Sequence, residues 1–367
     1  MLPQLAFALG LAAAAPADPS ASLAAILEEV RAARHFPGAV AMVSRRGTPV
    51  ASAAIGVRRE GSNDAVTLDD KFHIGSVTKP MNATMIATLV DEGLLRWEST
   101  LEEMFADWRI HRDLRGVTLA QLLSHRAGIA AFASDEELEA APKLYGEARS
   151  QRSQFTQWLI AQKPAFTPGE RFSYSNAGIT IAAAAAERAA GKAWEQLMRE
   201  RVFAPLGMKS AGFGWPAHDD AKQPWGHRLD GTRLLPHDPR GPYQLNAVIQ
   251  PAGNVHVSGP DLMRFLDDHA RGIAGQRGLL KPETYKRMHA LEPEGSSLGF
   301  GVRKRDGFTT SSHSGSAETF YAIVMVSHED GLEIAILVNS PDAVPATALF
   351  RAIWSRFRAT GRPPSGG

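Results

Sequence analysis

Cysteine is absent from all 367 residues, which removes disulfides, thiolate catalysis and cysteine-ligated metals in one step. The compartment stays open, because an exported protein can fold without disulfides. Net charge is nearly absent as well. The 40 Lys and Arg side chains face 39 Asp and Glu, leaving +1, so no global field recruits nucleic acid or an anionic membrane. Beyond the N-terminus no stretch approaches the roughly 18 consecutive apolar residues that span a bilayer. No His-Glu-x-x-His spacing appears, and no G-x-S-x-G elbow, which argues against a zinc hydrolase and an α/β-hydrolase. His218 beside Asp219 is only a weak metal signal, so neither metal nor cofactor is expected. Lysine is scarce too: arginine outnumbers it roughly three to one.

What is present begins with an apolar leader, MLPQLAFALGLAAAAPADP. Its small-x-small end at Ala15-Pro16-Ala17 reads as a signal peptide over residues 1–17, cleaved before Asp18, and predicts a periplasmic or secreted protein. Residues 20–34 carry Leu23, Leu27 and Val30 at helical spacing. AVAMVS and VASAAIGV, split by RRGTP, read as two strands joined by a turn. Val77, Met81, Met85 and Leu89 recur every four residues and predict a central helix with its apolar stripe turned inward. The middle reads as helical pieces broken by long loops. One loop, residues 212–250, has no period and is expected to line a site through Trp215 and Trp225. FYAIVMVSH and LEIAILVNS predict strands, followed by a helix over residues 347–358.

The layout, helix and strands, then a helical block, then strands and a helix, suggests a sheet built from both ends of the chain around a helical insertion.

The scarce lysine matters in HIGSVTKP, where Ser76 and Lys79 stand three apart. On a helix this spacing puts amine and hydroxyl on one face, the relation a nucleophile and its base require. Arginine cannot substitute, since a guanidinium keeps its proton whereas a desolvated ammonium can lose it. Pro80 belongs in a first helical turn, so the helix should begin near Ser76, although proline biases Lys79 away from helical angles. In PGERFSYSNAGI, Tyr174 can relay a proton and Asn176 can orient a carbonyl. In SSHSGSAETF, His313 precedes a strand edge where the Ser316 N–H can face an oxyanion.

Ser76-Val77-Thr78-Lys79, Tyr174-Ser175-Asn176 and His313-Ser314-Gly315 resemble, in order, the three motifs of the penicillin-recognising serine hydrolases. The similarity is to the branch of class C β-lactamases, D-Ala-D-Ala carboxypeptidases, D-aminopeptidases and esterases, and covers nearly the whole chain. The resemblance implies an α+β, β-lactamase/transpeptidase-like fold: an antiparallel sheet (about 20–75 and 290–360) flanked by terminal helices, a mostly helical region (about 76–290), and a cleft between them, in one catalytic domain over residues 18–360 with residues 361–367 as a disordered tail. It implies Ser76 as acylated nucleophile, Lys79 and Tyr174 sharing proton transfer, and the Ser76 and Ser316 N–H groups as oxyanion hole. Asn176 would hold substrate or Lys79, and Gly315 and His313 would border the substrate. Histidine at 313 stands where true β-lactamases commonly carry lysine, which favours carboxypeptidase, aminopeptidase or esterase chemistry. His125 in LLSHRAGI is expected to buttress the cleft loop. Asn254 replaces a small glycine and is expected to narrow or polarise the cleft. The expected partner is a small-molecule or short peptide substrate, through an acyl-enzyme; the competing reading is a non-catalytic binding or scaffold protein of the same fold.

Overall fold

The computed structural model describes residues 18–305 and 307–358. The expected leader, residues 1–17, and the expected tail, residues 361–367, lie outside the described residues. The strands are β1 (Gly38–Arg45), β2 (Thr48–Gly56), β3 (Lys71–His73), β4 (Gly212–Phe213), β5 (His227–Asp230), β6 (Arg233–Pro236), β7 (Val255–Ser258), β8 (Gly301–Arg305), β9 (Phe308–Ser316), β10 (Tyr321–Ser327) and β11 (Leu332–Val338). Six of them form an antiparallel sheet in the order β2-β1-β11-β10-β9-β8. The first and last strands of the chain are therefore neighbours at its centre, with Ala39 opposite Val338 and Val43 opposite Ile334.

Side chains alternate across a strand, and here both faces are covered. Ala39, Ala41, Val43, Ile334, Ile336 and Val338 pack beneath helix α1 (Pro19–Arg34) and the Ala343–Phe357 helix through Leu23, Leu27, Leu349 and Ile353. Val40, Val324, Ala335 and Leu337 face the helical region. This double burial explains why the central strands read as unbroken apolar runs, and each fully buried Ile or Leu contributes about 1.5–3 kcal/mol. The C-terminal helix starts earlier than its periodicity predicts. Asp342 caps it by accepting the Val344 N–H at 2.8 Å, and Pro345 falls in its first turn, where a missing N–H costs nothing.

The second helix corrects its sequence reading. Helix α2 (Thr78–Asp91) is buried from Thr78 through Leu89 on every side, rather than along one stripe. Its polar residues find partners inside: Thr84 Oγ1 donates to Pro80 O at 2.8 Å, and Asn82 Oδ1 accepts the Trp194 indole N–H at 2.9 Å.

The segment 212–250 is also more ordered than its lack of period predicts. It holds β4 and the β5–β6 hairpin. Buried His227 is one of its anchors, with Nδ1 2.6 Å from Asn339 O and Nε2 accepting the Glu60 N–H at 3.0 Å. Periodicity cannot register such a tertiary anchor. A second sheet, β3-β7-β4, likewise interrupts the helical region, and it carries the chain into the Ser76 turn. Among the described residues no helix is long and apolar enough to cross a membrane.

Candidate active site

β3 ends at His73, and the chain then tightens into a 3-10 turn, Gly75–Val77, that runs directly into α2. The α-helix thus begins at Thr78, two residues later than expected, with Ser76 in the turn before it. Pro80 occupies the first turn of α2, and Lys79 is helical in spite of it. Gly75 adopts φ +49°, and a Cβ there would lie 2.7 Å from the Ser316 backbone N. A Cβ on Gly315 would lie 2.1 Å from Ile74 O and 2.6 Å from the Ser76 N. The two glycines let the end of β9 and the Ser76 turn meet backbone to backbone, which brings the expected oxyanion amides to one place.

Ser76 Oγ receives two donors, Lys79 Nζ at 2.9 Å and the Tyr174 hydroxyl at 2.8 Å. Lys79 is 0% exposed. Its other contacts are Ala252 O at 2.8 Å and the face of the Tyr174 ring, 4.6 Å to the centroid. No carboxylate compensates its burial, so desolvation drives its pKa well below the usual lysine value. Burial pushes the Tyr174 phenol the other way, up to about 12 against the lowering effect of its bond to Ser76. One group is inclined to give up its proton and the other to keep it.

His125 stacks at 4.6 Å on the Tyr174 ring, and its Nδ1 accepts the Ser175 N–H at 3.1 Å. It buttresses the Tyr174 loop as expected, and it also lines the cleft. Ser175 caps the Asn176–Ala190 helix, its Oγ accepting the Gly178 N–H at 2.9 Å, which places Asn176 at a helix start. Asn176 Nδ2 donates to Phe132 O at 3.0 Å, which fixes its amide against the loop. His313 is half-buried on β9 with Nδ1 2.6 Å from Ser314 O. A carbonyl only accepts, so Nδ1 carries the proton and a neutral His313 keeps a lone pair on Nε2. Burial holds this ring well below the ordinary histidine pKa.

A cleft of about 400 Å³ opens beside Tyr174, His125 and His313, walled by Phe172, Ser314 and the segment from Glu294 to Arg303. Neither Trp215 nor Trp225 lines it, and nor does Ser76. Trp215 is buried, its indole donating to Tyr243 O at 3.1 Å, and Trp225 lies under Arg59. Asn254 is buried behind the Ser76 turn, with Oδ1 3.4 Å from His73 Nε2. Two contributors escaped the sequence reading: His73, a lone histidine with no motif of its own, and the Ala252 carbonyl, a backbone group that no side-chain pattern reveals. Among the described residues no three His, Asp or Glu converge to hold a metal, and His218 simply pairs with Asp219 at 2.7 Å.

A hydroxyl flanked by a desolvated amine and a protonated phenol, at the junction of a sheet and a helical region, is the arrangement of an active-site-serine hydrolase fold. The Beta-lactamase family model matches residues 23–356, and the chain belongs to that family. It is 31% identical over 356 residues to penicillin-binding protein 4 of Amycolatopsis lactamdurans, covering 92% of this chain and 90% of that one. It is 28% identical over 319 residues to esterase EstB of Burkholderia gladioli, covering 77% and 78%. In fold it resembles the octameric penicillin-binding protein homologue from Pyrococcus abyssi, with a TM-score of 0.77 at 23% identity over 92% of this chain and 77% of that one.

Proposed function

We propose that this protein is a serine acyl hydrolase that works through an acyl-enzyme on Ser76. The carrying observation is the convergence of Lys79 Nζ and the Tyr174 hydroxyl on one serine oxygen, with the amine buried and unpaired by any carboxylate. Neutral Lys79 takes the Ser76 proton as Oγ bonds to the substrate carbonyl carbon. The oxyanion is held by the Ser76 and Ser316 N–H groups. As the carbon–leaving-group bond breaks, the Lys79–Tyr174 pair returns the proton to the departing nitrogen or oxygen. Water then adds to the ester carbonyl, losing a proton to the same pair, and Ser76 departs with it. Asn176 and His313 border the acyl group.

The substrate class is an acyl compound small enough for the cleft: a peptide or amide with a D-residue, a short ester, or, less favourably, a β-lactam. The names of the penicillin-binding and esterase relatives support this range. A panel of nitrocefin, a D-Ala-D-Ala peptide, a D-amino-acid amide and a short p-nitrophenyl ester separates these substrates. Incubation with a fluorophosphonate or a penicillin should leave a mass adduct on Ser76. Folded protein that shows neither adduct nor turnover of any panel member would return the chain to the non-catalytic reading.

A further inference from the structure

We propose that His73 and Asn254 form a positioning pair that fixes the Ser76 turn against the segment holding Lys79, a proposal that rests on the acyl-transfer reading of Ser76. Neither residue touches the reacting atoms. His73 closes β3 and is 1% exposed. Its Nδ1 accepts the Gly75 N–H at 3.2 Å, the peptide immediately before Ser76. That acceptance places the ring proton on Nε2, which faces Asn254 Oδ1 at 3.4 Å.

Asn254 follows the short Gln250–Gly253 helix, its own N–H bonding Gln250 O at 3.0 Å. In that helix lies Ala252, whose carbonyl accepts Lys79 Nζ at 2.8 Å. The pair therefore braces the turn that carries the nucleophile against the turn that holds the base. The Ile74 N–H to Val255 O at 2.9 Å and the Val255 N–H to Thr78 Oγ1 at 3.1 Å run alongside it. Trp215 seats the ring, 4.7 Å between centroids.

The brace works only while the imidazole is neutral, because an imidazolium would turn an Nδ1–H against the Gly75 N–H. Burial, against the opposing bond to Asn254, holds the His73 pKa down to about 3. Among its described neighbours the other titratable group is His256, across the β3–β7 ladder, whose charge would lower it further; Asn254, Trp215 and Phe320 carry none.

Asn254→Asp tests the pair. A carboxylate receiving Nε2–H stabilises the imidazolium and raises the His73 pKa. The acidic limb of the kcat profile should then move up by about one to three pH units, with KM for a short ester unchanged at the alkaline plateau. Adding His73→Asn should abolish this shift, since the carboxamide oxygen accepts the Gly75 N–H without titrating. His73→Asn alone should keep kcat within about threefold. His73→Phe keeps a ring but no acceptor and should lower kcat on the order of 100-fold. An Asn254→Asp limb that matches the wild type, or equal kcat for His73→Phe and His73→Asn, overturns the pair. Should His73→Phe fail to fold, the Asn254→Asp profile decides alone. A wild type with no Ser76 adduct and no ester turnover overturns the acyl-transfer reading itself, whereas normal adduct formation with an unshifted limb overturns only the brace.

Discussion

Two basic side chains are fully buried among the described residues, and they live in opposite surroundings. Arg152, 0% exposed, donates to Glu187 Oε1 at 2.6 and 3.2 Å and to Glu195 at 2.9 and 3.0 Å. Burial works against its charge, yet those two carboxylates more than offset it, and its pKa lies above the ordinary arginine value. Lys79, equally buried, has a hydroxyl, a carbonyl and an aromatic face, and its pKa falls. The first arrangement holds helices together: the Ala148–Ile160 helix supplies the arginine, and the Asn176–Ala190 and Trp194–Met198 helices supply the acids. On the proposed reading, the second keeps a base ready. Burial alone distinguishes neither, and the presence of a carboxylate separates scaffold from chemistry.

The comparison breaks most visibly at Lys79. Lys79→Arg should lose about 10³-fold or more in kcat on a p-nitrophenyl ester while the melting temperature stays near that of the wild type. A rate close to normal would remove the base role. Arg152→Met should do the reverse. It strands Glu187 without its partner and should cost about 3–5 kcal/mol in urea unfolding, with kcat of the remaining folded fraction little changed. A fall in kcat at saturating substrate with no loss of stability would mean that the two regions are coupled after all.

Tyr174→Phe sharpens the division of labour within the site. Keeping the ring beneath Lys79 while removing the hydroxyl should lower kcat by about 10²-fold, less than the loss of the lysine. The smallest expected effect lies in buried groups that are held neutral. Thr84 Oγ1, His269, His289 and Ser311 form a chain with contacts of 2.9, 2.8 and 2.8 Å. A neutral imidazole gives one donor and one acceptor to such a chain, and a protonated one sets two N–H groups face to face. Burial lowers His269 to about 3, and burial together with the His269 and His328 charges lowers His289 well below its usual value. The unfolded chain binds these protons as pH falls below 6.5, whereas in the folded chain His269 does not until near 3, so stability is full above 6.5 and declines as pH falls below it. Each histidine contributes about 1.4 kcal/mol per pH unit to the slope. His269→Gln should reduce the slope of unfolding free energy between pH 6 and 4 by about that amount; an unchanged slope would show that His269 does not titrate on unfolding.

Legibility followed the kind of signal each element leaves. Ser76 and Lys79 were readable because a local spacing, a proline that marks a helix start and an unusual lysine coincide within eight residues. Tyr174 and His313 acquired meaning only in ordered company with them, since a lone tyrosine or histidine carries no geometry. The central strands were readable because both faces are buried. What stayed hidden depends on contacts across the chain: His227 reaching Asn339 and Glu60, His73 reaching Asn254, and Trp215 turning inward to Tyr243. Their sequence surroundings are loops and two- to four-residue strands, where period has no room to develop. The wall that lines the cleft, from Glu294 to Arg303, left as little trace, being rich in serine and glycine with few landmarks.

The glycine contact between the Ser76 turn and the end of β9 also constrains how the molecule comes into being. Ser76 leaves the ribosome 240 residues (316 − 76) ahead of Ser316, whose backbone meets its turn. The sheet meets the same delay, because β1 can pair with β2 at once but must wait for β11 on its other edge. Pairings of such sequence separation are slow and leave apolar edges uncovered in the interim. Recovery of esterase turnover after dilution from denaturant should therefore trail the return of helical signal, and a chain truncated before β10 should hold its helices without a working serine.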